Sequence, residues 1–284
     1  MTISRRIFMR TFLDKEERLT EKERRNLSIL DSIRRGREVS RAEISKTTDL
    51  NIVTVSNYVS KYVKKKIVFE TGLDISTGGR RPELLKLNPD ACYSVGIDLG
   101  SPHITDASYS VAVLVDINGR IVAKEKYLKV TESFDSFSQN ILQLVDKLIE
   151  NAGVDKQNIH GIGVGIWGVL DRYRGMVRYA VEDEKIVSYT SLLDQLESKY
   201  NVNAVIEHDA TLAAFGEKWS GDPAISEAEN LLFLCSDSSC GMVIKGELYY
   251  GASKSAGELN LSPPRPQGEE DKDKCWAGYD YGCV

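Results

Sequence analysis

Residues 40–65 read SRAEISKTTDLNIVTVSNYVSKYVKK. Ser40 followed three residues later by Glu43 is a capping box, in which each residue satisfies a backbone amide at the start of a helix. A short helix to about Thr47 is predicted. Thr48-Asp49-Leu50-Asn51 reads as a turn, and Asn51 can cap a further helix from Ile52 to about Lys65. In that helix Val55, Val59 and Tyr62 recur at helical spacing and form an inward stripe. Thr54, Ser56, Asn57 and Ser60 fall on the other side, where they can hydrogen-bond to bases or phosphates. Lys61, Lys64, Lys65 and Lys66 suit phosphate contacts. Two short helices joined by a tight turn make a helix-turn-helix, whose second helix enters the major groove.

On the N-terminal side, residues 21–35 (EKERRNLSILDSIRR) predict a preceding helix with Leu27, Leu30 and Ile33 on its apolar stripe, Ile29 beside them and Gly36 as its stop. Residues 1–20 are mixed and charged and receive no role. On the C-terminal side, Ile67–Glu70 and Glu83–Leu87 predict a hairpin. Between them lies a glycine-tipped wing carrying Arg80 and Arg81, which could reach a minor groove or the DNA backbone. Residues 21–88 are therefore expected to form a winged helix-turn-helix that binds double-stranded DNA. Charge agrees. Residues 1–88 hold 20 Lys+Arg and 12 Asp+Glu, a net of +8, whereas residues 89–284 hold 17 and 30, a net of −13. A basic module fused to an acidic body suits a polyanion-binding head.

The apolar fraction of 42% and charged fraction of 28% are those of an ordinary globular chain. There is no apolar run of membrane-spanning length and no signal-peptide core. Five scattered cysteines, Cys92, Cys235, Cys240, Cys275 and Cys283, make a poor disulfide framework. No membrane partner and a cytoplasmic location are expected.

After Pro89 strands and helices alternate. Strands are predicted over 93–101, 111–115 and 120–128, then a helix over 134–152 and a strand over 159–166. A helix over 190–199, a strand over 204–207 and a helix over 210–219 follow. This order is a ribonuclease-H-like layout for residues 92–222. A second set of strands begins at 230–235, 241–244 and 247–250.

Five phrases then stand together: Ser76-Thr77-Gly78-Gly79-Arg80-Arg81-Pro82, Gly96-Ile97-Asp98-Leu99-Gly100, Gly161-Ile162-Gly163-Val164-Gly165, Gly246-Glu247-Leu248-Tyr249-Tyr250-Gly251-Ala252 and Ala256-Gly257-Glu258-Leu259. With them the chain resembles the regulator branch of the ROK family (repressors, open reading frames and sugar kinases), from about residue 24 to 262. The resemblance implies an α/β protein, in which a winged helix-turn-helix precedes an actin-like, ribonuclease-H-like ATPase-type body that binds sugar. The second lobe would occupy residues 228–284 only in part, so the chain is expected to be truncated, with a disordered tail.

The resemblance also assigns sites. The first phosphate loop would use Asp98, Gly100 and Ser101, but Pro102, which has no amide to donate, stands where the family has Thr. The second would keep only Gly241, beside an Asp237 that repels phosphate. Both departures weigh against a kinase and against any nucleotide cofactor. Asp209, in Glu207-His208-Asp209-Ala210, matches the family's catalytic base. Without ATP it remains a sugar contact, and it can equally cap the helix that follows. His208 contacts sugar or packs, Glu258 matches a sugar-contacting Glu, and Gly168 falls in a loop near the sugar, beside a Trp167 that also suits a core. Cys275 and Cys283 look like remnants of a zinc motif whose other ligand positions hold Leu261 and Ala277, so no metal is expected. The implied function is regulation of carbohydrate genes by repression, with a sugar or phosphosugar effector and a homodimer or homotetramer on its operator. The alternatives are a sugar kinase, for which Asp209 would be catalytic, and a constitutive DNA binder.

Overall fold

The structure is a computed structural model that describes residues 19–73, 83–100, 109–128, 133–171, 176–178, 186–220, 223–235, 239–252 and 256–257. Helix α1 (Glu21–Gly36) opens with a capping box: Thr20 accepts from the Glu23 amide and Glu23 reaches back to Thr20. The stripe that α1 buries is Ile29 and Ile33, with Leu30 partly covered. Leu27 is 50% exposed, against expectation, because Asn26 holds the inward position and accepts from the Tyr62 hydroxyl at 2.6 Å. The two-residue strand β1 (Val39–Ser40) leads into α2 (Arg41–Thr48), where Ser40 and Glu43 form the expected box. Ser40's backbone amide, and then its hydroxyl, hold the Glu43 carboxyl below its ordinary value. The chain leaves α2 through Asp49 at φ +55°, a left-handed position that Asp tolerates. Helix α3 (Ile52–Lys64) follows, its amide at Thr54 donating to Asn51.

Strands β2 (Val68–Leu73) and β3 (Glu83–Leu87) pair antiparallel, and β1 joins β3 on the other side. Strand β2 runs three residues beyond the expected Glu70, past an irregular register between Glu70 and Leu73. Arg41 ties α2 to both strands, with its guanidinium 2.6 Å from Glu70 and 3.2 Å from Glu83. Ile29, Ile33, Ile44, Val55, Val59, Tyr62, Val68, Leu85 and Leu87 form one core. The wing residues 74–82, Arg80 and Arg81 among them, lie outside the described residues.

In the body, β4 (Tyr93–Asp98), β5 (Tyr109–Asp116) and β6 (Ile121–Leu128) form an antiparallel run. Strand β4 ends at Asp98 rather than 101, because the Asp98 carboxylate accepts from the Gly100 amide at 2.8 Å and turns the chain. Helix α4 (Phe134–Ala152) then crosses to β7 (Ile159–Ile166), which lies parallel to β4. Three short strands, β8 (Val169–Asp171), β9 (Met176–Arg178) and β10 (Ile186–Ser188), make a small antiparallel sheet that the sequence did not announce. Helix α5 (Thr190–Tyr200) and β11 (Asn203–His208) complete the unit, and β11 is parallel to β7. The main sheet has the order β11-β7-β4-β5-β6 among the described residues. Its apolar face and the buried sides of α4 and α5 form the second core.

Helix α6 (Asp209–Ser220) starts directly from β11, and the short α7 (Pro223–Ser226) follows. A third sheet, β12 (Leu231–Leu234), β13 (Cys240–Ile244) and β14 (Glu247–Leu248), packs on α6. Among the described residues, the following contacts join head and body. The Arg34 guanidinium of α1 lies 4.0 Å from the ring centroid of Trp219 at the end of α6, and Ile117 of the β5–β6 turn packs on the head core. No described helix is long and apolar enough to cross a membrane.

Candidate functional site

The outer face of α3 is built by subtraction. Once Val55, Val59 and Tyr62 are buried, helical spacing turns Val53, Asn57, Ser60, Lys61 and Lys64 outward, and all five are exposed. Thr54 and Ser56, expected among the outward polar residues, are only half-exposed on its flanks. Ser60 donates its hydroxyl proton to the Ser56 carbonyl at 2.8 Å, so it presents oxygen lone pairs outward. Lys61 leans over the Tyr58 ring, 5.6 Å from its centroid. Sequence reasoning missed Ile52 and Val53, which are 45% and 66% exposed. Their apolar type suggested nothing outward, although the phase of the inward stripe places Val53 opposite it.

The body offers a different surface. Strands β4, β7 and β11 run in one direction, so their carboxyl ends lie side by side: Asp98 pairs with Gly165, and His208 with Ile166. Such ends are where parallel α/β sheets hold ligands. Asp98, Gly100, Gly168, His208 and Asp209 are thereby brought to one sheet edge, with Gly168 in a left-handed turn at φ +107°. His208 is buried, with Nδ1 3.4 Å from the Thr211 hydroxyl and Nε2 3.4 Å from Asp209 Oδ1. The His208 amide donates to the buried carboxylate of Glu207 at 2.9 Å. Asp209 is itself the first residue of α6, and it accepts from the adjacent Ala210 amide at 2.6 Å.

Gly241 is buried on β13 against α6. A side-chain carbon there would stand 1.9 Å from the Ala210 carbonyl oxygen. Its lack of a side chain is thus required by helix packing. Gly257 is placed in the same way, since a Cβ on it would stand 1.9 Å from the Cys240 carbonyl oxygen. Ser101, Glu258, Cys275 and Cys283 lie outside the described residues.

These parts define an α/β chain in which a basic three-helix head adjoins a sheet whose parallel strand ends gather acidic and histidine side chains. The match to the ROK family model spans residues 94–284, and the chain belongs to the ROK family. It is 32% identical to a xylose repressor of Caldicellulosiruptor bescii over 237 residues, covering 82% of this chain and 57% of that protein. It is 31% identical to the xylose repressor of Bacillus subtilis, over 81% of this chain and 58% of that one. The chain thus spans somewhat more than half the length of these relatives. A solved ROK family transcriptional regulator, described as a homolog of the E. coli MLC protein, superposes with a TM-score of 0.61 at 17% identity. That superposition covers 91% of this chain and 64% of the other, and it shows a common fold.

Proposed function

We propose that the chain is a sequence-specific DNA-binding regulator of carbohydrate genes, acting as a repressor, with a sugar or phosphosugar as effector. The observation that carries the reading is the outer face of α3. An exposed row of Asn57, Ser60, Lys61 and Lys64 crosses a helix whose opposite side is the head's core. With α2 and the turn at Asp49, this is a helix-turn-helix, and β2–β3 is the base of its wing, to which Arg80 and Arg81 belong. The similarity to xylose repressors supports the regulatory role and makes xylose the first effector to try.

The effector would lie at the ends of β7 and β11, with Asp209 accepting from a sugar hydroxyl and His208 and Gly168 beside it. Glu258 would complete the contacts. A kinase reading is less favoured. The Gly100 amide, which a phosphate loop would offer to ATP, donates to Asp98, and Gly241 faces α6. We take the regulator to act as a symmetric homodimer or homotetramer. The test is enrichment of duplexes from a randomised pool by the purified chain, with and without each of a panel of sugars. Retention of one duplex sequence, released by one sugar, is the expected result. Phosphorylation of a sugar by ATP, with no duplex retained, would overturn the reading.

A further inference from the structure

The front of α3 carries two large apolar side chains where water would ordinarily meet polar ones. Val53 is 66% exposed and Ile52 45%. Neither belongs to the head core. One turn beyond Val53, on the same row, stands the carboxamide of Asn57, and beyond it the ammonium groups of Lys61 and Lys64. The row therefore changes along the helix from apolar to amide to cationic.

Resting on the DNA-binding reading, we propose that Ile52 and Val53 read thymine by its C5-methyl group. In the major groove thymine is the one standard base that presents an apolar group, and an amide such as Asn57 can bond adenine N6 and N7 together. A helix that offers Val53 and Asn57 one turn apart is complementary to a stretch holding thymine beside adenine. The lysines further along identify the occupant as a polyanion, since an apolar protein partner would gain nothing from them. Ser60 cannot replace Asn57 as a donor, because its proton goes to the Ser56 carbonyl. Ile52 and Val53 are then specificity-determining residues, and Asn57 fixes the neighbouring position.

The test uses a duplex enriched from a randomised pool by the purified chain. Each thymine is replaced in turn by deoxyuridine, which removes the methyl and nothing else. At one or two positions affinity is expected to fall about four-fold, the value of one buried methyl. Val53→Ala should lose the same factor on the thymine duplex and become indifferent to deoxyuridine at that position. Ile52→Ala should do so at the neighbouring one. Both side chains are exposed, so the melting temperature should hold, and the deoxyuridine arm needs no variant. If the wild-type chain binds every deoxyuridine duplex as it binds the parent, the thymine reading falls while DNA binding stands. If no duplex is enriched at all, both fall.

Discussion

A methyl group on Gly241 would sit 1.9 Å from the Ala210 carbonyl oxygen and 2.7 Å from the Ala214 Cβ. Gly241→Ala is expected to cost about 1–3 kcal/mol in chemical denaturation, as overpacking does. Gly216, within α6, has nothing within 4 Å of its would-be Cβ, and there Ala should stabilise by about 0.5–1 kcal/mol. Equal effects at the two positions would refute the packing account of Gly241. The glycine was legible in the sequence as the remainder of a phosphate loop, but its reason was not. A motif names a residue, whereas the neighbour that forbids a side chain comes from a helix about thirty positions away. Val53 was hidden for a related reason: residue type alone does not report which side of a helix an apolar group occupies.

Helices were read well because their ends are written locally. Ser40 with Glu43 and Asn51 each cap within three residues, and α4 spans the expected 134–152. The strands β8, β9 and β10 were not read, since three residues are too few to show an alternation. The box at α2 carries a pH signature. The Glu43 carboxyl is held below its ordinary value of 4.5 by Ser40, so its contribution is complete above about that pH and is lost as pH falls through the folded value. Glu43→Gln keeps the hydrogen-bonding shape and should make head stability flatter with pH in the acid range, read by circular dichroism. Ser40→Ala should cost about 0.5–2 kcal/mol at neutral pH. On α3, replacing Lys61 and Lys64 together by Ala should lower the slope of log affinity against log salt by about two. An unchanged slope would remove both from the phosphate contacts.

Charge asymmetry and element order divided the chain into head and body, and they could do so because both are sums over many residues. The contact between head and body is a matter of single side chains distant in sequence. Arg34 lies over Trp219, and Trp219 in turn stands where a Cβ on Gly119 would come within 2.5 Å of its ring. In a double-mutant cycle, Arg34→Ala and Trp219→Ala should be non-additive by about 0.5–2 kcal/mol. Additivity would show that the contact holds nothing together.

That junction leaves little slack. The Asn88 side chain donates to the Lys66 carbonyl, the Ala91 amide returns to Asn88, and β4 begins at Tyr93. A head so moored has a fixed address on its body. In the oligomer proposed above, two bodies that meet would act as a ruler for their heads, setting the distance and rotational phase between the two half-operators. Inserting a few base pairs at the operator's centre would put one head on the wrong side of the duplex, and the tether offers no length to compensate.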